Sequence, residues 1–211
     1  MPDKDARSDE QLMLAYAAGD MAAFETLYAR HEAGLLRFVR RLLGSALADR
    51  HADEVFQDTW LRVVNARASF HPQGASFKTW AYTIAHNAAM DRQRVKGRDV
   101  SLDALAGTGD EEGGDPLDWL CPAVDLAHPS SEDLAFWRAA GQQLLHCLDQ
   151  LPDAQRAAFL LHHEDGASVE ELAQRLNLGF ETVKSRLRYG LAKLRGCMGH
   201  YLSVLEGGAA S

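Results

Sequence analysis

Residues 168–187 read Ser168-Val169-Glu170-Glu171-Leu172-Ala173-Gln174-Arg175-Leu176-Asn177-Leu178-Gly179-Phe180-Glu181-Thr182-Val183-Lys184-Ser185-Arg186-Leu187. Ser168 followed three positions later by Glu171 is a capping-box pattern, in which hydroxyl and carboxylate satisfy N–H groups that a first helical turn leaves without partners. Leu172, Ala173 and Leu176 then fall on one face at helical spacing. Asn177-Leu178-Gly179 is a turn, and a second helix is predicted from Phe180 to Leu194 with Val183, Leu187, Leu191 and Leu194 inward. A short capped helix, a tight turn and a longer helix make a helix-turn-helix, and the small Ala173 sits where the two must approach closely. The outer face of the second helix carries Glu181, Thr182, Lys184, Ser185, Arg186 and Arg188, and residues 168–195 hold six basic and three acidic side chains. Polar groups at the start of such a helix suit base edges, and cations suit phosphates. A plain helical hairpin with a solvated face would look similar.

Upstream, Ser131 or Asp133 begins a helix through Leu134, Trp137, Leu144, Leu145 and Leu148. Leu151-Pro152-Asp153 breaks it and starts another, since proline is tolerated at a first helical turn. Ala157, Phe159, Leu160 and Leu161 follow until Gly166. His162-His163-Glu164-Asp165 reads as a helix end with His favouring the dipole, because adjacent His side chains diverge and make a poor ligand pair. Cys197 with His200 would supply only half a zinc site.

The N-terminal half is also helical. Leu12, Ala15 and Tyr16 share a face. Asp20 is a plausible N-cap before Ala23, Phe24, Leu27 and Tyr28, and Leu35, Val39, Leu42 and Leu43 extend the stripe to Gly44. A long helix is expected over about residues 52–68, with Val55, Phe56, Thr59, Trp60 and Val63 inside and Asp53, Glu54, Gln57, Asp58 and Arg62 outside. His71-Pro72-Gln73-Gly74 is a loop. A further helix begins near Ser76 or Phe77, with Trp80, Ala81, Ile84, Ala85, Ala88 and Ala89 as its stripe. It ends on Arg92, Arg94, Lys96 and Arg98, more cations than the helix dipole needs. Aromatics beside Lys78 suit stacked bases of single-stranded nucleic acid, yet the spacing of Trp80 with Ile84 equally suits core. Asn87 costs helix propensity among its alanines, so it is either a hydrogen-bonding group or a plain surface residue. No strand pattern occurs, so the fold class is all-α.

The chain has 211 residues, 46% of them hydrophobic, with net charge −8. That apolar share suits a folded chain of one or two domains. The charge is unevenly placed: residues 99–133 hold seven Asp, three Glu and no Lys or Arg, leaving 22 basic and 20 acidic residues elsewhere. A Gly-, Asp- and Pro-rich stretch of this length is uncommon inside one domain. It reads as a flexible acidic linker, with a small apolar island at Leu117, Trp119, Leu120, Val124 and Leu126. It is either an extended spacer or a nucleic-acid mimic. Two small helical domains result: 1–98, a linker 99–131, a helix-turn-helix domain 132–196 and a tail 197–211. The start has no signal-peptide core, and no apolar run is long enough to insert in a membrane. Three widely spaced cysteines with no CxxC pair make a disulfide framework unexpected and a reducing cytoplasm the default. No P-loop, GxGxxG, GxSxG or HExxH motif occurs, so no cofactor is implied.

Several stretches, in order, resemble one family. These are Asp20-Met21-Ala22-Ala23-Phe24-Glu25-Thr26-Leu27-Tyr28, Ala52-Asp53-Glu54-Val55-Phe56-Gln57-Asp58-Thr59-Trp60 and Phe77-Lys78-Thr79-Trp80-Ala81-Tyr82-Thr83-Ile84-Ala85-His86-Asn87. Leu151-Pro152 with Gly166-Ala167-Ser168-Val169-Glu170-Glu171-Leu172-Ala173 and Val183-Lys184-Ser185-Arg186-Leu187 complete the series. Together they resemble the extracytoplasmic-function (ECF, group 4) sigma factors of the sigma-70 family. The resemblance implies a non-enzymatic protein that lends promoter recognition to core RNA polymerase. It implies polymerase contacts at Asp53, Glu54, Gln57, Asp58 and Arg62. Contacts to the melted −10 element are implied at Lys78, Trp80, Asn87, Arg92, Arg94, Lys96 and Arg98 and in the loop 70–76. Contacts to the −35 duplex are implied at Phe180, Glu181, Thr182, Lys184, Ser185, Arg186 and Arg188. An anti-sigma factor is a further implied partner. Two other readings are a helix-turn-helix regulator that does not bind polymerase, and a helical enzyme or metal sensor using His162, His163, Cys197 and His200. The acidic linker, the tail past Arg195 and the His71-Pro72-Gln73-Gly74 loop depart from the family pattern.

Overall fold

The computed structural model describes residues 5–94 and 131–208, with side chains of 131–134, 200 and 202–208 left aside. The described residues form helices and no strand. In chain order these are α1 (Asp9–Ala17), α2 (Met21–Leu43), α3 (Ser45–Asn65), a 3₁₀ turn (Arg67–Ser69) and α4 (Phe77–Arg94). After the linker come α5 (Ser131–Asp149), α6 (Asp153–Asp165), α7 (Val169–Leu176) and α8 (Phe180–Gly208). The acidic linker, its apolar island, Lys96 and Arg98 lie outside the described residues.

In the first half α2 is the central helix, packed by α1, α3 and α4. Asp20 caps it as expected, its carboxylate accepting the Ala23 N–H at 3.2 Å. Leu27, Leu35, Phe38 and Val39 are fully buried along it, each contributing about 1.5–3 kcal/mol of hydrophobic stabilisation. Trp60 of α3 closes this core against Tyr28 and Phe24, with ring centroids 4.9 and 5.8 Å away. Gly44 ends α2 with φ +70°, a conformation that glycine adopts without a Cβ penalty. Its carbonyl then starts α3 by accepting the Ala48 N–H at 2.9 Å. So α3 begins at Ser45 rather than near Ala52. Leu47 is the one large apolar residue over 44–51, too sparse a pattern to signal a helix.

In the second half α6, α7 and α8 form the helix-turn-helix unit and α5 packs on α8. Gly166 ends α6 in the left-handed region, and the capping box at Ser168 and Glu171 forms as expected. Two expectations are corrected. The last helix continues past Leu194 to Gly208, because Met198 is fully buried and prolongs the inner face. Cys147 of α5 and Cys197 of α8 form a disulfide, Cα–Cα 5.9 Å across 50 residues of sequence, within the range a bridge needs. Spacing alone could not disclose a pairing that packing of α5 on α8 creates. Leu145, one of the apolar residues along α5, is 44% exposed.

Candidate nucleic-acid interface

The first half of α8 is held from behind and open in front. Ser168 Oγ accepts the Glu171 N–H at 3.2 Å and the Glu171 carboxylate accepts the Ser168 N–H at 2.8 Å. Asn177, at φ 52°, reverses the chain, and the Leu178 N–H donates to Ala173 O at 2.9 Å. The Asp165 carboxylate is fully buried and paired with Arg175, fixing α7 to the end of α6. Val183 and Leu187 are buried. Gly190 is buried where α8 meets α6, and an added Cβ would make an ordinary contact with Gln155 at 3.6 Å.

The other face is presented to solvent. Phe180, Glu181, Thr182, Lys184 and Arg188 are exposed, while Ser185 and Arg186 are half-buried. Ser185 Oγ donates back to Glu181 O at 2.7 Å. Arg188 lies over the Tyr189 ring at 5.0 Å and donates to its hydroxyl at 3.1 Å. Burial draws the Arg186 pKa down from its ordinary value. A glutamate can accept from cytosine N4, a lysine can pair with guanine and an apolar ring can meet the thymine methyl. This face therefore has the chemistry to read a major groove.

The start of α4 is built by three elements. Ser76 Oγ accepts the Thr79 N–H at 3.1 Å, and Glu10 of α1 accepts the Phe77 N–H at 3.0 Å. Phe70, in the loop, stacks against Trp80 at 5.3 Å. Trp80 is half-buried, which accords with the core reading of its spacing. Lys78 turns to the second half: its ammonium donates to Glu164 O at 2.5 Å and lies 5.5 Å from the Tyr82 ring centroid. Asn87 is exposed, ten residues and so about 15 Å along the helix from Phe77. Its neighbour His86 is buried, and burial lowers the imidazole pKa, favouring the neutral ring.

On α3, Asp53, Glu54 and Gln57 are exposed, with Asp58 and Arg62 half-buried. Arg62 pairs with both Asp58 and Asp91 at 2.9 Å. Arg92 pairs with Glu54 at 2.8 Å and contacts His51 Nδ1 at 3.0 Å. Arg94 stands 3.7 Å from Asp91. The acidic face and the basic end of α4, separate groups in the sequence, thus meet along one edge.

Residues that bind the two halves carry no motif. Arg41 pairs with Glu164 at 2.7 Å, Asp149 accepts the Ser45 N–H at 3.2 Å, and Asp165 accepts from Thr79 Oγ1 at 3.1 Å. Arg156, 4% exposed, donates from Nε to Leu42 O at 3.2 Å and from Nη2 to Asp153 at 2.5 Å. Its i,i+3 spacing from Asp153 was the only readable signal. The metal reading is not assembled: Cys197 is in the disulfide and His162 Nδ1 contacts Ala167 O at 2.6 Å. Among the described residues no group of three or more His, Cys, Asp or Glu is placed to hold a metal ion. None of their helices is long and apolar enough to cross a membrane.

Residues 27–99 match the model for Sigma-70 region 2, and residues 141–194 match that for Sigma-70, region 4. The ECF RNA polymerase sigma factor SigK of Mycolicibacterium vanbaalenii is 30% identical over 192 residues, 90% of this chain and 89% of that protein. The ECF RNA polymerase sigma factor SigM of Mycobacterium tuberculosis is 30% identical over 195 residues, 92% of this chain and 86% of that one. Among solved structures, CnrH in complex with the cytosolic domain of CnrY matches with TM-score 0.55 and 22% identity, covering 92% of this chain and 99% of that chain. The sigma factor RpoE in complex with the anti-sigma factor NepR from Bartonella quintana matches with TM-score 0.56 and 23% identity, covering 83% and 96%.

Proposed function

The chain belongs to the ECF sigma factors of the sigma-70 family, and we propose that it joins core RNA polymerase through α3, melts the −10 element with α4 and reads the −35 duplex with α8. Residues 1–98 and 132–196 are the two working units, and bond formation is left to the polymerase, in the cytoplasm. The observation that carries this reading is the presence in one chain of two outward faces of opposite character: the acid and amide stripe of Asp53, Glu54 and Gln57, and the polar and basic start of α8. An acidic stripe suits a basic protein surface; a helix beginning Phe180-Glu181-Thr182 and continuing through Lys184, Ser185, Arg186 and Arg188 suits a major groove.

In the −10 region, Asn87 and the loop 70–76 contact the non-template strand at two separate points, given their separation along α4. Extruding a base costs a few kcal/mol, which stacking and hydrogen bonds to the flipped base must offset. Lys78, Arg92, Arg94, Lys96 and Arg98 hold backbone, and Trp80 supports the loop through Phe70. An anti-sigma factor is a further partner, by similarity to RpoE, which was solved with one.

The test is reconstitution. Purified core polymerase with the full chain should initiate from a promoter identified by start-site mapping after overproduction. Asp53→Arg with Gln57→Arg, both on exposed α3 positions, should abolish holoenzyme assembly while leaving binding to −35 duplex intact. Equal assembly by this variant would remove α3 from the polymerase interface.

A further inference from the structure

A trough runs along one side of α5. A cleft of about 530 Å³ is walled by Leu144, Leu148, Phe159, Leu160, Leu194 and Met198, side chains of α5, α6 and α8. Its rim opens to solvent, with Arg138, Gly141, Gln142 and Leu145 exposed. A Cβ added at Gly141 would meet nothing within 4 Å, so the α5 wall leaves room there. Leu145 and Leu148 also line a neighbouring cleft of about 320 Å³, which Arg37, Arg40 and Arg41 border. Around the two clefts four arginines stand against two carboxylates, Asp149 and Glu164. The trough is therefore apolar at its floor and basic at its edge. An open apolar surface rimmed by polar groups marks an interaction site.

We propose that the apolar island of the acidic linker, Leu117 to Leu126, docks in this trough. Its composition fits. Trp119 and Leu120 suit the floor, while Asp115, Asp118 and Asp125 lie beside them in sequence with no Lys or Arg, so the segment's charge complements the arginines. A buried indole N–H needs an acceptor, and Gln142 and Glu164, which line the cleft, both carry side-chain oxygens. The tether also fits. Leu126 and Trp119 lie five and twelve residues before Ser131, where α5 begins. Twelve residues reach up to about 40 Å, and the trough, from Arg138 to Leu148, lies about 10 to 25 Å along α5 from that point. So short a tether holds the segment at a local concentration of the order of 1 mM, and a segment that binds at only about 0.1 mM when free is then docked about ten to one. On α8 the trough reaches Leu194 and Met198, beyond Arg188, so docking leaves the outer face of residues 180–188 open. The inference needs neither the polymerase nor the DNA assignment above.

The experiment uses the full oxidised chain and its own Cys121, the cysteine that the Cys147–Cys197 bridge leaves out. Cys121 lies within the island, and its rate of alkylation by iodoacetamide reports whether the island is covered. The parent should react about tenfold more slowly than Leu145→Glu, which sets a repelling charge on the exposed rim of the trough. Leu14→Glu, the same change at a leucine 46% exposed on α1, should react like the parent. The slow rate should hold across a roughly hundredfold range of chain concentration, because a tethered contact is intramolecular. Protection that grows with concentration would give the trough to a second copy and overturn the proposal. A parent rate equal to that of Leu145→Glu overturns it as well, as does equal loss of protection in Leu14→Glu. A second measurement is independent of the Leu145 variant. A fluorescent peptide of residues 114–127 is titrated with the parent and with the full chain carrying Trp119→Ser and Leu120→Ser. The emptied trough of the double variant should take the peptide at about 0.1 mM, more tightly at low salt, and the filled trough of the parent should take it about tenfold more weakly. Equal binding to both chains, or none to the double variant, overturns the proposal.

Discussion

Glu10 on α1 accepts the backbone N–H of Phe77, the first residue of α4, at 3.0 Å. A side chain distant in sequence thus performs the capping task that an N-cap residue performs locally. It holds the helix assigned to promoter melting against the N-terminal helix, and α1 sets where the first turn of α4 lies. The same bond lowers the Glu10 pKa.

Replacing Glu10 by Gln should destabilise the protein by about 1 kcal/mol at neutral pH, the usual value of a cap. Because the folded-state pKa is depressed, the carboxylate's contribution is fully present above the ordinary glutamate value of 4.5 and is lost as pH falls through the lower folded value. Wild type and Glu10→Gln should therefore differ in urea midpoint at pH 7 and converge in acid. A gap that persists below that window would show that the carboxylate charge is not what stabilises α4.

On α8 the exposed and half-buried cations should behave differently. Lys184 is exposed and Arg186 half-buried. Lys184→Ala, if it removes one phosphate contact, should lower the salt slope of −35 duplex binding by about one unit. If the half-buried Arg186 meets a base edge, Arg186→Ala should cost about 1–3 kcal/mol and relax sequence preference. Titrations across a salt series with matched and mismatched duplexes report both quantities. Parent-like slopes and preferences in both variants would remove α8 from the recognition role.

The disulfide closes a 50-residue separation. The chain-entropy model gives a stabilisation of roughly 4 kcal/mol for a loop of that size. Cys147→Ser and Cys197→Ser should each lower the denaturant midpoint of the oxidised protein. Treatment of wild type with a reductant should bring it to the same midpoint, while the variants should not respond. A reductant effect of equal size in the variants would place the stabilisation elsewhere.

Much of the fold was legible because it is encoded locally. Asp20, Gly44, Gly166, and the Ser168 and Glu171 box mark helix ends by chemistry within a few residues, and the apolar stripes of α2, α4 and α8 are periodic. What escaped was non-local. The Cys147–Cys197 bridge, the Glu10 cap on Phe77 and the Arg156 bond to Leu42 each join residues far apart in sequence, where no spacing rule applies. The early start of α3 escaped because residues 44–51 are too poor in large apolar side chains to show a period. The candidate site residues read as three groups, one for polymerase and two for DNA. That Arg92 from a DNA group pairs with Glu54 from the polymerase group depends on how α3 packs on α4.

That pairing gives a last expectation. Glu54 holds Arg92 at 2.8 Å, with His51 beside it, so in the free chain the charge that Arg92 would offer to DNA is partly neutralised. If polymerase engages Glu54, the same event releases Arg92 to the melted strand, and core binding favours DNA binding through one side chain. Glu54→Gln should imitate that release. The free chain should bind single-stranded DNA more tightly, by roughly threefold given the small value of an exposed pair, with a salt slope steeper by up to one unit. Asp53→Asn is the control, since it removes the same charge from the next residue, whose carboxylate faces Arg40 at 3.6 Å instead. If both variants gain equally, the effect is net charge alone and the link through Arg92 is absent. If only Glu54→Gln gains, and Arg92→Ala cancels the gain, polymerase affinity and strand capture are coupled across the edge where α3 meets α4.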